Sequence, residues 1–419
     1  MDKFVCYRCS VCGSEYQPGT VTYTCPKDKG NLDVILDYKS IKKNFSPSSI
    51  MNLKEESIWR YLPLLPVHDP DYHSTPLHSV GWTPVFQPKL LSDELNLQHL
   101  WIKDDSKNPT ASFKDRASAV VVARAKEIGA EVIVTASTGN AGAALAGMAA
   151  AADHNAVIFA PRSAPPAKIA QLMIFGADVF LVDGNYDQAF DLSIQASEEF
   201  GWYCRNTGYN PFTAEGKKTA AFEIWEQVIR PNDFDRPINI FVSVGDGNII
   251  SGLHKGFKDL IELGWLKVMP KIFGIQSEGS SAIADAFING TENIQAVSAD
   301  TLADSISVDM PRDGIRALRA ATRTGGKYLK VTDQSILNAI AKLGRAGIFA
   351  EPAASATYAG LEKSILEGFI SEEDPVLVLV TGSGLKDVSA ATMAAGQAPI
   401  IEPSLPALKK IMEQKKLSD

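Results

Sequence analysis

The sequence predicts an α/β protein in which helices cover both faces of parallel sheets. From about residue 101 onward, short β-branched runs alternate with glycine or serine turns and alanine-rich amphipathic stretches. This alternation is the pattern of parallel strands joined by crossover helices. The run Val376–Val380 is apolar at every position, which is typical of a strand that is buried on both sides.

The predicted elements follow one another along the chain. Runs rich in β-branched residues predict strands at 131–136, 156–160, 179–182, 238–244, 271–276 and 376–380. The stretches between them predict helices that include 114–128, 139–152, 186–200, 214–229 and 250–263. Outside this region, residues 1–35 are rich in cysteine, glycine and aromatic residues, and 401–419 form a tail that ends in a charged helix.

The composition is that of a globular protein with sizeable cores. The chain has 419 residues, of which 45% are hydrophobic and 21% charged, and its formal net charge is −8. Because there is no basic excess to neutralise phosphates, nucleic-acid binding is not expected. No apolar run reaches the roughly 18 residues that a membrane helix needs, and the first residues lack the apolar core of a signal peptide.

The distribution of the cysteines along the chain indicates a cytoplasmic protein. The chain has five cysteines, and four of them lie between Cys6 and Cys25. A disulfide framework would be spread along a secreted chain of this length, so we expect a cytoplasmic protein. The fifth cysteine, Cys204, is expected in a buried strand.

Lys114 lies in the first of four loops that carry candidate site residues. It follows Asn108-Pro-Thr-Ala-Ser-Phe113 and opens a predicted helix. The helix dipole disfavours a positive charge at this end, and this lowers the pKa of an amine, as a Schiff-base lysine requires. The alternative is a surface lysine that pairs with Asp115.

The second loop, Ala136-Ser-Thr-Gly-Asn-Ala141, joins a predicted strand to a predicted helix. Its backbone amides and hydroxyls could bind a carboxylate or a phosphate. The alternative is a simple helix cap, because serine, threonine and asparagine all cap helices.

The third and fourth loops follow two further predicted strands. In Val244-Gly-Asp-Gly-Asn-Ile249, the glycines let a phosphate approach the backbone at the amino end of a helix. This is not the dinucleotide fingerprint Gly-x-Gly-x-x-Gly, because residue 250 is isoleucine. In the loop Val380-Thr-Gly-Ser-Gly384, the hydroxyls could meet a heteroatom of a ligand. A tight turn is the alternative for both loops.

Together, the four loops resemble pyridoxal-phosphate enzymes of the tryptophan-synthase β superfamily (fold type II), and among them the threonine synthase family. The resemblance covers roughly residues 70–390 in family order, and further matching segments are Asn210-Pro, Glu215-Gly-Lys-Lys-Thr219 and Gly347-Ile-Phe-Ala-Glu-Pro352. It implies two doubly wound parallel-sheet domains and a homodimer. The smaller domain would comprise 112–225, and the larger, cofactor-binding domain would comprise 60–111 with 226–400.

The resemblance also implies an activity and a set of roles. Threonine synthases convert O-phosphohomoserine and water into threonine and phosphate by γ-elimination and β-addition of water. Lys114 would bind pyridoxal phosphate and move the α and β protons. Further cofactor contacts would come from Asn140 at the 3-oxygen, Thr381 at the pyridine nitrogen, and Gly245, Asp246, Gly247 and Asn248 at the phosphate. The substrate carboxylate would be held by Ser137, Thr138 and Gly139.

Thr213 departs from the family pattern. Threonine synthases usually carry here an arginine that holds the substrate's phosphate, and Thr213 is the expected substrate contact in its place. A charge-assisted pair is stronger than a neutral hydroxyl contact. Another cation could therefore replace the arginine, and the candidates are Lys107, Arg205, Lys217 and Arg312.

The departure at position 213 leaves other functions open. One is a reaction of the same cofactor on a different substrate, namely β-elimination or β-replacement on serine, threonine or phosphoserine, as in ammonia-lyases or cysteate synthases. Another is a regulatory protein that binds the cofactor but is catalytically weak. Release of phosphate from O-phosphohomoserine would distinguish threonine synthase activity from both of these alternatives.

The amino-terminal cysteines resemble the small zinc-ribbon extension of some threonine synthases. Cys9 and Cys12 form one knuckle, Cys25 begins a second, and Asp28 stands where a fourth cysteine would complete it. Four thiolates, or three with a carboxylate, complete a tetrahedral zinc site, so either Cys6 or Asp28 would be the fourth ligand. The alternative is a metal-free extension that is held by packing of its aromatic residues.

Overall fold

The computed structural model describes residues 3–164 and 166–416. Its strands are β1 Phe4–Cys9, β2 Glu15–Tyr16, β3 Leu32–Leu36, β4 Val85–Phe86, β5 Leu100–Asp104, β6 Val132–Ala136, β7 Asn155–Pro161, β8 Asp178–Val182, β9 Tyr203–Cys204, β10 Asn239–Ser243, β11 Lys271–Ser277, β12 Tyr328–Val331 and β13 Val376–Val380.

The α-helices are α1 Tyr38–Asn44, α2 Pro47–Met51, α3 Lys89–Leu95, α4 Lys114–Glu127, α5 Asn140–Ala151, α6 Pro166–Ile174, α7 Tyr186–Phe200, α8 Phe212–Lys217, α9 Thr219–Ile224, α10 Arg230–Asn232, α11 Asn248–Glu262, α12 Ala282–Ile288, α13 Gly314–Thr322, α14 Asp333–Arg345, α15 Pro352–Leu366, α16 Val388–Ala395 and α17 Leu405–Lys416. A π-helical turn covers Trp225–Ile229, and 3-10 helices cover Ile58–Leu64, Pro76–Ser79, Asp105–Lys107, Asp304–Ile306 and Gly384–Lys386.

Two largely parallel sheets form the body of the molecule and confirm the predicted α/β class. The larger has the strand order β12-β11-β10-β13-β5-β4 and is parallel except for the edge strand β4. The smaller has the order β8-β7-β6-β9 and is parallel throughout. The amino-terminal strands form a separate antiparallel sheet, β2-β1-β3. Among the described residues, no helix has the length and apolarity needed to cross a membrane.

All six predicted strands are present, each within one residue of its predicted bounds. The smaller sheet uses strands between 132 and 204, and the larger uses strands at 85–104 and 239–380. The exact division of domains at 112 and 225 stays a prediction. The predicted single helix 214–229 is wrong, because it comprises α8, α9 and the π-helical turn. The N–H of Arg230 bonds to the carbonyl of Trp225, five residues back, and the next residue is a proline without an N–H.

A buried ion network ties α4 to the larger sheet. Arg116 on α4 contacts Asp105 at 2.6 Å and Glu223 at 2.8 Å, and Glu223 also accepts from Lys103 of β5 at 2.7 Å. All four side chains are fully buried. Burial acts to raise the pKa of Glu223, but Arg116 and Lys103 outweigh it and lower the pKa to about 2. The network therefore fixes the start of α4, where Lys114 lies.

Helices α4 and α8 cross unusually closely at Gly216. A Cβ atom at this position would overlap the carbonyl oxygen of Arg116. Only glycine permits this approach, because any larger residue would push α8 away from α4. The crossing brings Lys217, at the end of α8, near the start of α4.

Replacing Glu223 by glutamine is expected to lower the free energy of unfolding by about 3–5 kcal/mol, because it leaves buried cations without their partner. The measurement is denaturant unfolding followed by circular dichroism. The same exchange at Glu373, whose surface pair with Arg236 has side chains 67% and 46% exposed, is the matched control and should cost less than about 1 kcal/mol. Equal losses in the two variants would contradict the structural role of the network.

Candidate active site

The main candidate site is a cavity of about 460 Å³ at the carboxyl ends of strands from both parallel sheets. Ligands of open α/β sheets bind at these ends because the connecting loops diverge there. The cavity lining includes the first residue of α4 and parts of the loops that follow β6, β10 and β13. It brings together most of the predicted site residues: Lys114, Ser137, Thr138, Gly139, Asn140, Gly245, Asp246, Gly247, Asn248 and Thr381.

Lys114 is the first residue of α4 and is half-buried. The loop before it is held against the loop after β13, because the N–H of Phe113 donates to the carbonyl of Thr381 at 2.8 Å. Burial, and then the positive charge of Arg205, lower the pKa of Lys114, against the opposing effect of Asp246 and Glu351. A lysine in this setting reaches the neutral, nucleophilic form more readily than a surface lysine.

The alternative in which Lys114 is a surface lysine paired with Asp115 is wrong. Asp115 is fully buried and accepts from the backbone N–H of Thr110 at 2.6 Å. Burial raises the pKa of Asp115 to about 6. Asp115 therefore braces the loop before α4 rather than the amine of Lys114.

The loop after β6 presents Ser137 and Asn140 to the cavity. Gly139 is the N-cap of α5, and no side chain caps this helix, so the helix-cap alternative for the loop is wrong. The N–H of Gly139 donates to the hydroxyl of Ser137 at 3.2 Å. The amide of Asn140 donates to the two carboxylate oxygens of Glu351 at 2.9 and 3.1 Å.

Glu351 is a cavity residue that the sequence reasoning assigned no role. It precedes α15, is buried, and lines the cavity beside Asn140. Burial raises its pKa, although the amide of Asn140 acts in the opposite direction. Its signal in the sequence was an acidic residue directly before the proline that opens a helix. A Cβ atom at Gly382 would meet this carboxylate, which explains the glycine after Thr381.

The glycine loop after β10 leads into α11. Gly247 has φ +89°, a left-handed conformation that favours glycine, and a Cβ there would lie 2.8 Å from the carbonyl oxygen of Asp313. A Cβ at Gly245 would lie 2.9 Å from Cα of Ile306. The amino end of α11 therefore meets the cavity through backbone groups, with the partial positive charge of a helix start.

Asn248 connects the glycine loop to the amino-terminal sheet. Its amide donates to Asp313 at 2.7 Å, and Asp313 accepts from Arg316 at 2.6 and 2.7 Å. Arg316 also donates to Asp33 of β3 at 2.8 Å. A continuous series of polar contacts, buried except at the partly exposed Asp33, thus runs from β3 to the wall of the cavity.

Thr213 does not line the cavity. It is fully buried, and its hydroxyl donates to the carbonyl of Asn210 at 2.7 Å and to Oδ1 of Asn248 at 3.1 Å. The structure thus places Thr213 behind Asn248, where it supports that side chain. Of the four cations predicted as substitutes for an arginine here, Lys107 lies outside the cavity lining, and three line it: Arg205, Lys217 and Arg312.

The amino-terminal sheet carries a cluster of possible metal ligands. One donor atom from each of Cys9, Cys12, Cys25 and Asp28 lies within 4.8 Å of the others. The alternative with Cys6 as the fourth ligand is wrong. Cys6 and Cys9 are three residues apart on β1, and side chains at odd spacing on a strand point to opposite faces.

Comparison with known proteins shows to which family this chain belongs. A family model described as pyridoxal-phosphate dependent enzyme matches residues 77–382. The threonine synthase of Methanocaldococcus jannaschii is 37% identical over 412 residues, which cover 97% of this chain and 99% of that protein. The threonine synthase of Methanosarcina acetivorans is 36% identical over 408 residues, covering 96% of this chain and 97% of that protein.

Solved structures share the fold at lower sequence identity. The processed form of threonine deaminase isoform 2 from Solanum lycopersicum has a TM-score of 0.66 and 23% identity, with coverage of 81% of this chain and 94% of that chain. Maize serine racemase has a TM-score of 0.63 and 20% identity, with coverage of 83% and 96%. These similarities establish the fold.

The cavity residues fit pyridoxal phosphate. An aldehyde requires an amine that can become neutral, which Lys114 offers, and a phosphate requires backbone donors, which the glycine loop offers. The lining also contains Arg205, which has a buried nitrogen, Nη2, without a hydrogen-bond partner. A cavity with this donor set is suited to an anionic, carbonyl-bearing ligand.

Replacing Lys114 by alanine is expected to remove the visible absorbance of the bound cofactor, because the amine that attaches it is lost. The measurement is an absorption spectrum after incubation with pyridoxal phosphate and gel filtration. Lys107→Ala, a change outside the cavity lining, is the matched control and should keep the band. A normal band in the Lys114→Ala protein would contradict the assignment of the attachment site.

Proposed function

Because this chain belongs to the pyridoxal-phosphate dependent enzymes and, among them, to the threonine synthase family, we propose that it converts O-phosphohomoserine and water into threonine and phosphate. The observation that carries the proposal is the similarity to threonine synthases over almost the whole chain. The cavity adds a lysine of lowered pKa beside a glycine loop and a helix start.

In the proposed reaction, Lys114 moves protons. Bound pyridoxal phosphate supplies electron withdrawal from the amino acid, which makes the protons at Cα and Cβ acidic. The neutral amine of Lys114 takes these protons as phosphate leaves Cγ. One proton is returned to Cγ, which becomes the methyl group. Water then adds its hydroxyl at Cβ, and a second proton returned to Cα completes threonine. The lowered pKa of Lys114 matches this role, because a base must be unprotonated before each transfer.

The other cavity residues hold and orient the reactants. We assign Asn140 to the cofactor's 3-oxygen and Thr381 to its pyridine nitrogen, where a hydroxyl, unlike a carboxylate, leaves the ring near neutrality. Gly245, Asp246, Gly247 and Asn248 would surround the cofactor phosphate. The hydroxyls and amides of Ser137, Thr138 and Gly139 would bind the substrate carboxylate, which suits the amino end of α5.

A second candidate function is β-elimination or β-replacement on serine, threonine or phosphoserine. Position 213 favours it, because the residue there is a buried threonine that does not line the cavity. The family arginine that would hold the substrate's phosphate is therefore missing. On this alternative, the products would include a 2-oxoacid or a substituted amino acid.

The test is an assay of the cofactor-loaded enzyme with O-phospho-L-homoserine. We expect threonine and inorganic phosphate to form in equal amounts, since each turnover releases both. Parallel assays with L-serine, L-threonine and O-phosphoserine measure 2-oxoacid, and the Lys114→Ala protein provides the background. Formation of 2-oxoacid without turnover of O-phosphohomoserine would transfer the assignment to the second candidate.

We also propose that Cys9, Cys12, Cys25 and Asp28 bind a structural zinc ion. Three thiolates and one carboxylate match the tetrahedral preference of zinc. Two distances support the cluster: Cys9 Sγ lies 3.3 Å from Asp28 Oδ1, and Cys12 Sγ lies 3.8 Å from Cys25 Sγ. All four positions belong to protein ligands, so the site has no open position for a reaction.

Cys25→Ser is expected to lower the zinc content of the purified protein sharply, because it removes one of three thiolates. The measurement is metal analysis by inductively coupled plasma spectrometry, expressed per chain. Cys6→Ser is the matched control and should leave the zinc content unchanged, since Cys6 lies outside the cluster. A lower zinc content in the Cys6→Ser protein, or an unchanged zinc content in both variants, would refute this ligand set.

Two broader properties belong to the same proposal. We propose a homodimer, which rests on the family resemblance, and a cytoplasmic location, which rests on cysteine usage. The five cysteines are unpaired, as is usual for proteins of reducing compartments. The expected substrate is a small amino acid.

A further inference from the structure

Within residues 3–164 and 166–416, two buried cations lack an anionic partner. Among the described residues, eight lysine and arginine side chains are buried. Six of them pair with a carboxylate within 4.0 Å: Arg60, Lys103, Arg116, Lys218, Lys255 and Arg316. The other two, Arg205 and Lys217, form no such pair among the described residues, and both line the active-site cavity.

Neutral groups hold the side chain of Arg205. Its Nε donates to the hydroxyl of Ser118 at 3.2 Å, and its Nη1 donates to the hydroxyl of Thr207 at 2.7 Å. Its Nη2 is buried and has no partner. The two hydroxyls fix the orientation of the guanidinium but do not neutralise it, so Nη2 keeps an unused hydrogen-bond donor in the wall of the cavity.

Lys217 is held in a similar way. Its Nζ donates to the amide oxygen of Asn248 at 2.6 Å. The next residue, Lys218, is fully buried too, but it contacts Glu215 at 2.5 Å and Asp259 at 2.8 Å. Of these adjacent lysines, Lys218 lies outside the cavity lining and is paired with carboxylates, whereas Lys217 lines the cavity and is not.

An unpaired buried cation is costly, and the cost falls if the group loses its proton or if a ligand supplies the missing charge. The pKa of Arg205 is lowered to about 10 by burial, and the pKa of Lys217 is lowered by burial and by the charges of Lys114 and Arg205. An anion between the two side chains would relieve this repulsion. The fork of a guanidinium together with a lysine charge is suited to phosphate.

The position of Arg205 indicates which phosphate it meets. Arg205 follows β9, which pairs with β6, and its N–H donates to Val134 of β6 at 2.8 Å. Strand β6 leads directly into the loop 137–139, which we assigned to the substrate carboxylate. The glycine loop assigned to the cofactor phosphate lies at the start of α11, whereas Arg205 lies beside β6, which leads into the loop 137–139, so we place Arg205 on the substrate's side. Lys217 contacts Asn248 of the glycine loop and would meet the same phosphate from that side.

We propose that Arg205 and Lys217 form the subsite for a phosphate group at the end of the substrate's side chain. This inference rests on the proposed function, since it takes the loop 137–139 as the carboxylate subsite. It assigns the enzyme to phosphorylated amino acids and against neutral ones such as serine. It also explains how the cavity dispenses with an arginine at position 213, where Thr213 instead supports Asn248.

The experiment compares Arg205→Gln and Lys217→Gln with the unchanged enzyme, all loaded with cofactor. Thermal unfolding with and without inorganic phosphate measures the subsite directly. Steady-state assays give KM for O-phospho-L-homoserine, and the spectral change of the bound cofactor gives Kd for L-threonine, which lacks the phosphate. Lys107→Gln is the control for loss of a lysine outside the cavity.

We expect phosphate to raise the unfolding temperature of the unchanged enzyme and of Lys107→Gln, but not of Arg205→Gln. For both cavity variants, KM for O-phosphohomoserine should rise by about 10- to 100-fold, the effect of one charge-assisted contact. Kd for L-threonine and the cofactor content should stay close to the unchanged values. Lys217→Gln provides the independent test if Arg205→Gln does not fold.

Three results would overturn the proposal. A loss of L-threonine affinity as large as the rise in KM would mean that the cations bind the carboxylate. A loss of cofactor with unchanged stabilisation by phosphate would mean that they bind the cofactor phosphate. If phosphate does not raise the unfolding temperature of the unchanged enzyme, the proposed phosphate subsite is refuted. If phosphate stabilises the protein through Arg205 but O-phosphohomoserine is not turned over, the subsite stands and the proposed function falls.

Discussion

The buried ion network around Arg116 is the constraint on which the position of Lys114 depends. Arg116 follows Lys114 by two residues on α4, and its contacts with Asp105 and Glu223 leave that helix start little freedom. Because Lys103 balances the second carboxylate, the network has two charges of each sign and is stable without a ligand. Gly216 completes the arrangement, since it lets α8 approach the backbone of Arg116.

The cavity differs from this network. Its lining includes Lys114, Arg205 and Lys217, and burial raises the pKa of two of its acids, Asp246 and Glu351. Among the described residues, the buried cations of the network are thus paired with carboxylates, whereas Arg205 and Lys217 at the cavity wall are not. That separation indicates a structural role for the first set and supports the proposed ligand-binding role of the second.

Much of this could be predicted from sequence. Strands such as β13 were readable because every residue is apolar, and the four site loops were readable because they join strand ends to helix starts. Strand β9 was missed because two residues carry no periodic pattern. The choice between Asp28 and Cys6 as the fourth metal ligand depended on the alternation of side chains along β1. That Arg205 has no carboxylate partner among the described residues could not be predicted from the sequence either, because it depends on the positions of carboxylates that are distant along the chain.

The contacts from Asp33 through Arg316 and Asp313 to Asn248 have a consequence for truncation of the chain. They connect the amino-terminal sheet to the glycine loop after β10, so the sheet is not an independent appendage. Removal of residues 3–36 would leave Arg316 with one anion fewer, and Asp313, which supports Asn248, would be its remaining carboxylate partner among the described residues. The acid at 33 and the base at 316 thus act as one structural unit, although 283 residues separate them along the chain.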